Sequence, residues 1–256
     1  MARPWISVVI PAYREQEGIA RTVAAVRDWL EGDGRRYEVV VVDNASEDAT
    51  VARLQPLLDG DRIRLLRNDV NRGKGHSLKR GMLAATGELR LHCDADCAPS
   101  FTSLPHMLEL SSGHDVVVGS RLAPGAQVGR RQPLARRIVG RSFQDLCRFV
   151  LREPTRDLYC GFKLWRGEVA ADVFARISLD GWTFDAEALA LARALGYRLT
   201  ETGIVWLDRD GSRLSMARVL IPVVRELLAA RAHVRREAAR GRGAGLPAES
   251  PAPART

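Results

Sequence analysis

Apolar positions along this chain follow two periods. Short apolar runs, Trp5-Ile6-Ser7-Val8-Val9-Ile10, Tyr37 to Val42, Ile63 to Leu66, Leu89 to Cys93, Asp115 to Val118 and Leu199 to Val205, read as strands. Between them lie segments whose apolar residues recur three or four apart. The spacing predicts helices from Ile19 to Leu30, from Ser46-Glu47 through Leu58, and from Lys74 to Ala85. Further helices are predicted near Leu104 to Leu110, over Leu134 to Leu151 and from Asp185 to Leu195, with a short extended piece at Gly161 to Trp165. Strands alternating with helices specify an α/β fold, a mostly parallel sheet flanked by helices. Met216, Val219, Leu220, Val223, Leu227 and Leu228 form one further helical stripe. No internal repeat interrupts this order.

The division expected is a single Rossmann-like catalytic domain over residues 1–214, an amphipathic basic helix over 215–240, and a Gly-, Pro-, Ala- and Arg-rich disordered tail over 241–256. At 256 residues the chain can bury a substantial core. No apolar run approaches the ~20 residues that span a bilayer. No signal peptide is evident, which points to the cytoplasm. Cys93, Cys97, Cys147 and Cys160 are too few and scattered for a disulfide framework. His92, Cys93 and Cys97 lack the spacing of a zinc site, so buried thiols are expected.

The net charge of +8 is uneven, because residues 231–256 hold six Arg against Glu237 and Glu249. A second basic block, Arg130, Arg131, Arg136, Arg137 and Arg141, contains no acid. Such patches attract phosphates, with a solvated helix face as the alternative. The stripe from Met216 to Leu228, flanked by Arg218, Arg225 and Arg231, suits either packing on its own domain or peripheral contact with an anionic membrane at its inner face.

Chemistry gathers where strands end, since ligands of open parallel sheets bind beyond the carboxyl ends of the strands. The first strand exits as Pro11-Ala12-Tyr13-Arg14-Glu15, the second as Asp43-Asn44-Ala45-Ser46 and the fourth as Asp94-Ala95-Asp96. Tyr13 could pack on a base, and Glu15 and Asp43 could accept from base N–H or ribose hydroxyls. Turn and capping roles are the alternative. Strand alternation would turn Asp94 and Asp96 the same way, a pair of hard oxygen donors suited to Mg²⁺ or Mn²⁺ completed by phosphate and water. Asn71-Arg72-Gly73-Lys74-Gly75-His76 places glycines and an ammonium before a helix, where an anion could approach. The spacings of a Walker loop and of a dinucleotide fingerprint are absent.

Taken in order, these pieces resemble an inverting family 2 glycosyltransferase of the GT-A fold, nearest the dolichyl- and polyprenyl-phosphate sugar synthases. The resemblance covers residues 5 to about 215. It also rests on Val118-Gly119-Ser120-Arg121, Asp157-Leu158-Tyr159-Cys160-Gly161-Phe162-Lys163, Phe184-Asp185-Ala186-Glu187, Trp206 and Ser212-Arg213-Leu214. It implies that Pro11, Ala12, Tyr13, Glu15, Asp43, Asn44 and Lys74 surround the nucleotide. Asp94, Ala95 and Asp96 would meet the diphosphate and its Mg²⁺ or Mn²⁺. Arg121, Arg137, Arg141, Asp157 and Lys163 would lie on the acceptor side, with Asp94, Asp96, Asp157, Arg137 and Arg141 serving the reaction. Arg14, where many relatives carry Asn, and Leu158-Tyr159 depart from the family pattern.

The function implied is transfer of a hexosyl group from a GDP- or UDP-linked sugar to a polyprenyl phosphate. A phosphate acceptor, with its second pKa near 6, needs no general base. A hydroxyl acceptor would need one, for which Asp157, Asp185 and Glu187 are the candidates. The alternatives are a soluble hydroxyl or amine acceptor for the same donor chemistry, and a non-enzymatic nucleic-acid-binding protein. The latter explains the basic tail but not the acidic strand exits, so no nucleic-acid partner is expected.

Overall fold

A computed structural model describes residues 3–96, 98–129, 134–206 and 220–243. The strands are β1 (Ile6–Ala12), β2 (Tyr37–Asp43), β3 (Ile63–Arg67), β4 (Leu89–Cys93), β5 (Val116–Ser120), β6 (Gln127–Val128), β7 (Phe162–Arg166), β8 (Leu199–Gly203) and β9 (Val205–Trp206). The helices are α1 (Ile19–Asp33), α2 (Thr50–Leu54), α3 (Lys74–Ala84), α4 (Leu104–Ser111), α5 (Leu134–Leu151), α6 (Gly167–Arg176), α7 (Phe184–Ala194) and α8 (Leu220–Gly243).

Seven strands form one sheet in the order β3-β2-β1-β4-β7-β5-β8, and β6 pairs with β9 in a small second ladder. All neighbours in the large sheet are parallel except β7, which runs antiparallel between β4 and β5. Strand alternation divides the core. Ile6, Val8, Ile10, Val39 and Val41 pack toward α1 and α4 on one face, while Val9, Val40 and Val42 meet Leu78 and Met82 of α3 on the other. Burial on both faces is why β1 and β2 read as continuous apolar runs. Strand order turns back between β1 and β4, the switch point where such sheets open a crevice.

Two helix expectations shift. Ser46 and Glu47 stay outside α2, because the Ser46 amide donates to the Asp43 carboxylate at 3.2 Å instead of entering a helix. The helix then gives way after Leu54 to a 3₁₀ turn, Gln55–Leu57, as Pro56 lacks the N–H needed to continue it. At the C-terminus α8 runs through Gly243, past the expected boundary at residue 240. Leu227 of the stripe is buried in the core shared with α5 and α7, as are Ala230 and Val234 further along α8, so that residue packs on its own domain; Leu228 faces outward. Cys97, Arg130, Arg131, Ser212 to Leu214, Met216, Val219 and the tail beyond residue 243 lie outside the described residues, as do the side chains of Arg136, Arg137, Leu220 and Val223.

Candidate active site

Asp94 follows directly on β4, whose ladder ends at Cys93. Ala95 and Asp96 already belong to a turn, so strand alternation stops short of the acidic pair and does not set their relative orientation. The turn is tied down nonetheless. The Asp94 amide donates to Gly161 O at 2.9 Å, and the buried Thr22 hydroxyl of α1 donates to Ala95 O. Gly161 lets the Asp94 carboxylate lie where it does, because a methyl group there would overlap it.

The Lys74 ammonium, from the first residue of α3, lies 2.7 Å from Asp94 Oδ1 and 2.8 Å from Oδ2. His92 Nε2 stands 3.0 Å from Oδ1. An ionised carboxylate only accepts, so Nε2–H is the donor. Burial opposes the charged form of Asp94, but the Lys74 charge and the His92 hydrogen bond outweigh it and hold the carboxyl far below the usual carboxylate range. Burial lowers the proton affinity of His92, leaving the ring neutral with Nε2–H toward Asp94. Its Nδ1 makes no hydrogen bond and lies 3.7 Å from Asp185 Oδ1.

Behind His92, Asp185 of α7 pairs with Lys163 of β7 at 2.5 Å, and the same ammonium donates to Cys160 O at 2.6 Å. Lys163 is only 1% exposed, so it supports the site from beneath and is not an acceptor contact. Asp157 is likewise buried. Its Oδ2 accepts from Arg121 Nε and its Oδ1 from an Arg121 terminal NH₂ group, each at 2.8 Å, and the Arg121 amide adds a third bond at 3.0 Å. Burial opposes this charge also, and Arg121 overcomes it, holding the Asp157 carboxyl below its ordinary range. Asp157 therefore positions Arg121, whose guanidinium stays partly open beside Trp206, 5.2 Å from the ring centre. Glu187 accepts from the Ser178 and Leu179 amides at 3.1 and 2.9 Å and from the Ser178 hydroxyl at 2.5 Å, clamping the loop before α7.

The exits of β1 and β2 are interlocked. Arg14 and Ala45 adopt left-handed φ values of 56° and 59°, and the Arg14 amide donates to Ser46 Oγ at 3.0 Å. Pro11, Ala12, Asp43 and Asn44 are buried, while Tyr13 is open. The Glu15 amide donates to the Thr50 hydroxyl at 2.8 Å. Asp43 meets Arg67 Nε at 3.2 Å, a partner the sequence reading missed. Asn44 accepts from Asn68 Nδ2 and the Arg72 amide and donates to Asn71 Oδ1, shaping the loop that delivers Lys74. His92 was missed as the neighbour of Asp94, although its place two residues earlier in the chain was the available signal. Arg141 is exposed on α5.

Residues 7–174 match the sequence profile of Glycosyl transferase family 2. The chain belongs to that family. It is 31% identical over 226 residues to a dolichyl-phosphate beta-glucosyltransferase of Dictyostelium discoideum, covering 82% of this chain and 68% of that protein. The dolichyl-phosphate beta-glucosyltransferase of Mus musculus is 30% identical over 227 residues, covering 82% and 69%. In fold the chain is similar to glucosyl-3-phosphoglycerate synthase from Mycobacterium tuberculosis, crystallised with Mn²⁺ and UDP-glucose. That match has a TM-score of 0.64 at 19% identity and covers 90% of this chain and 79% of the other. This family 2 glycosyltransferase therefore has the GT-A fold.

The donor set suits a hard divalent cation held jointly with substrate. Among the described residues no three His, Cys, Asp or Glu side chains gather into a closed metal site. Asp94, kept ionised by Lys74 and His92, and Asp96, partly exposed in the same turn, bring two carboxylates together beyond β4, where a cation would share the Asp94 oxygens with the Lys74 ammonium. Mg²⁺ and Mn²⁺ commonly take one or two carboxylates and complete their shell with phosphate oxygens and water. The residues present fit such an ion.

Proposed function

We propose that this glycosyltransferase moves a hexosyl group, with inversion, from a GDP- or UDP-linked sugar to a polyprenyl-phosphate acceptor. The observation that carries the acceptor class is the commitment of the carboxylates available as bases. Asp157 is buried against Arg121, Asp185 against Lys163, and Glu187 against the loop amides. A hydroxyl acceptor needs a carboxylate to take its proton, whereas a phosphomonoester is largely ionised at neutral pH.

Asp94 and Asp96 would hold Mg²⁺ or Mn²⁺, which when bound stabilises charge on the departing nucleoside diphosphate. Lys74 neutralises the same diphosphate from the N-terminus of α3, where the helix adds its own favourable end. Tyr13, Glu15, Asp43 and Asn44 shape the nucleoside end. Arg121, oriented by Asp157, and Arg141 on α5 grip the acceptor phosphate, with Arg137 one helical turn before Arg141. The polyprenyl chain brings the enzyme to a membrane surface as a peripheral protein. No helix among the described residues is long and apolar enough to cross a bilayer.

The test is transfer of radiolabelled sugar from UDP- and GDP-sugars, with Mn²⁺, to polyprenyl phosphate and to free polyprenol. Product with the phosphate alone is expected, and equal transfer to the alcohol rejects the acceptor class. Arg141→Ala should raise KM for the lipid phosphate about tenfold, the loss of one charge-assisted contact.

A further inference from the structure

Trp182 stands just before α7 with 56% of its surface exposed. Its loop is rigidly built. Glu187 holds Ser178 and Leu179 from below, and the His76 amide of α3 donates to Asp180 O at 3.2 Å. The Asp180 carboxylate meets Arg72 at 3.3 Å, and Phe184 anchors the far end in the core. Gly73 and Gly75 leave no room for a side chain against this loop, so α3 and the loop fit closely. A large indole is thus held in the open by a fixed backbone.

Its place relative to the acidic turn gives it a use. The Lys74 ammonium lies 5.5 Å from the Trp182 ring centre and 6.0 Å from that of Phe184, while bonded to Asp94 at 2.7 Å. The indole therefore borders the carboxylate that, on the nucleotide-sugar reading, would face the donor diphosphate. The transferred sugar is joined directly to that diphosphate, so its ring falls beside the same group.

We propose that Trp182 is the stacking platform for the donor's hexosyl ring. This rests on the nucleotide-sugar reading above. A pyranose has apolar C–H faces and hydroxyl edges. An indole face, negative at its centre, attracts polarised C–H groups as it attracts cations and leaves the hydroxyl edges in water. An exposed aromatic carried on a fixed backbone meets this need at small entropic cost.

Calorimetry with Mn²⁺ tests it, comparing UDP and GDP with UDP-glucose and GDP-mannose on the wild type, Trp182→Ala and Trp182→Phe. Trp182→Ala should weaken the better-bound nucleotide sugar about three- to tenfold while binding of the matching nucleoside diphosphate and the melting temperature stay unchanged. Trp182→Phe should keep most of the affinity. Tryptophan fluorescence should respond to the nucleotide sugar beyond its response to the nucleotide, and that difference should vanish in Trp182→Phe. Equal weakening of nucleotide and nucleotide sugar, or no change in either, overturns the platform while leaving the donor reading intact. A wild-type protein that binds nucleoside diphosphate but no nucleotide sugar removes both.

Discussion

Single residues decide whether the acidic turn can hold its shape. Gly161 faces Asp94 across the β4–β7 ladder, and only its missing side chain lets the carboxylate lie there. Gly161→Ala should displace Asp94 from Lys74 and His92 and lower kcat/KM at least a hundredfold, with circular dichroism showing the fold retained. Activity near wild type would show that Asp94 need not sit where it does. Arg14 illustrates the opposite case, a residue against the backbone's preference. Its φ of 56° lies in the left-handed region that Asn tolerates far better than a long side chain. The Arg14–Glu47 ion pair is exposed and adds little. Arg14→Asn should raise Tm by about 1–3 °C in a calorimetric scan. The departure at Arg14 was legible in the sequence; its φ was not, because a side chain alone does not report the turn it occupies.

At the level of elements, helix phase separates residues that look equivalent in sequence. Asp185 and Glu187 sit two apart on α7, about 200° around the helix. One therefore points to His92 and Lys163, and the other to the loop carrying Trp182. The apolar pattern of β7 indicated a strand, but not that it runs antiparallel between two parallel neighbours. That register buries Lys163 and brings Gly161 to Asp94. The α8 stripe likewise identified a helix without naming its partner. Leu227 is fully buried against the α5–α7 layer. Leu227→Ala should cost about 2–5 kcal/mol in urea unfolding, the transfer and cavity terms of a core leucine. A loss below 0.5 kcal/mol would mean that α8 does not belong to the cooperative core.

For the whole molecule, buried charges set the response to acid. Asp94 and Asp157 both have proton affinities lowered in the folded state, so the unfolded chain binds more protons. Their contribution is fully present above the unfolded carboxylate pKa of about 3.9 and is lost as pH falls through their lower folded values. The urea midpoint should therefore hold near neutral pH and decline progressively below about pH 5. Asp157→Asn should flatten that decline, and an unchanged slope would remove Asp157 from the account. By itself the sequence determined the alternation of strands and helices, the polar strand exits and the ordered motifs of the family, because local periodicity and turn chemistry are written in neighbouring residues. Only the tertiary structure decided that Asp157, Asp185 and Glu187 are committed to partners, that Lys163 is sealed beneath the site, and that Trp182 stands beside Lys74. Those pairings join positions from 8 to over 100 residues apart, and no local pattern encodes which distant charge or ring a folded chain will bring within reach.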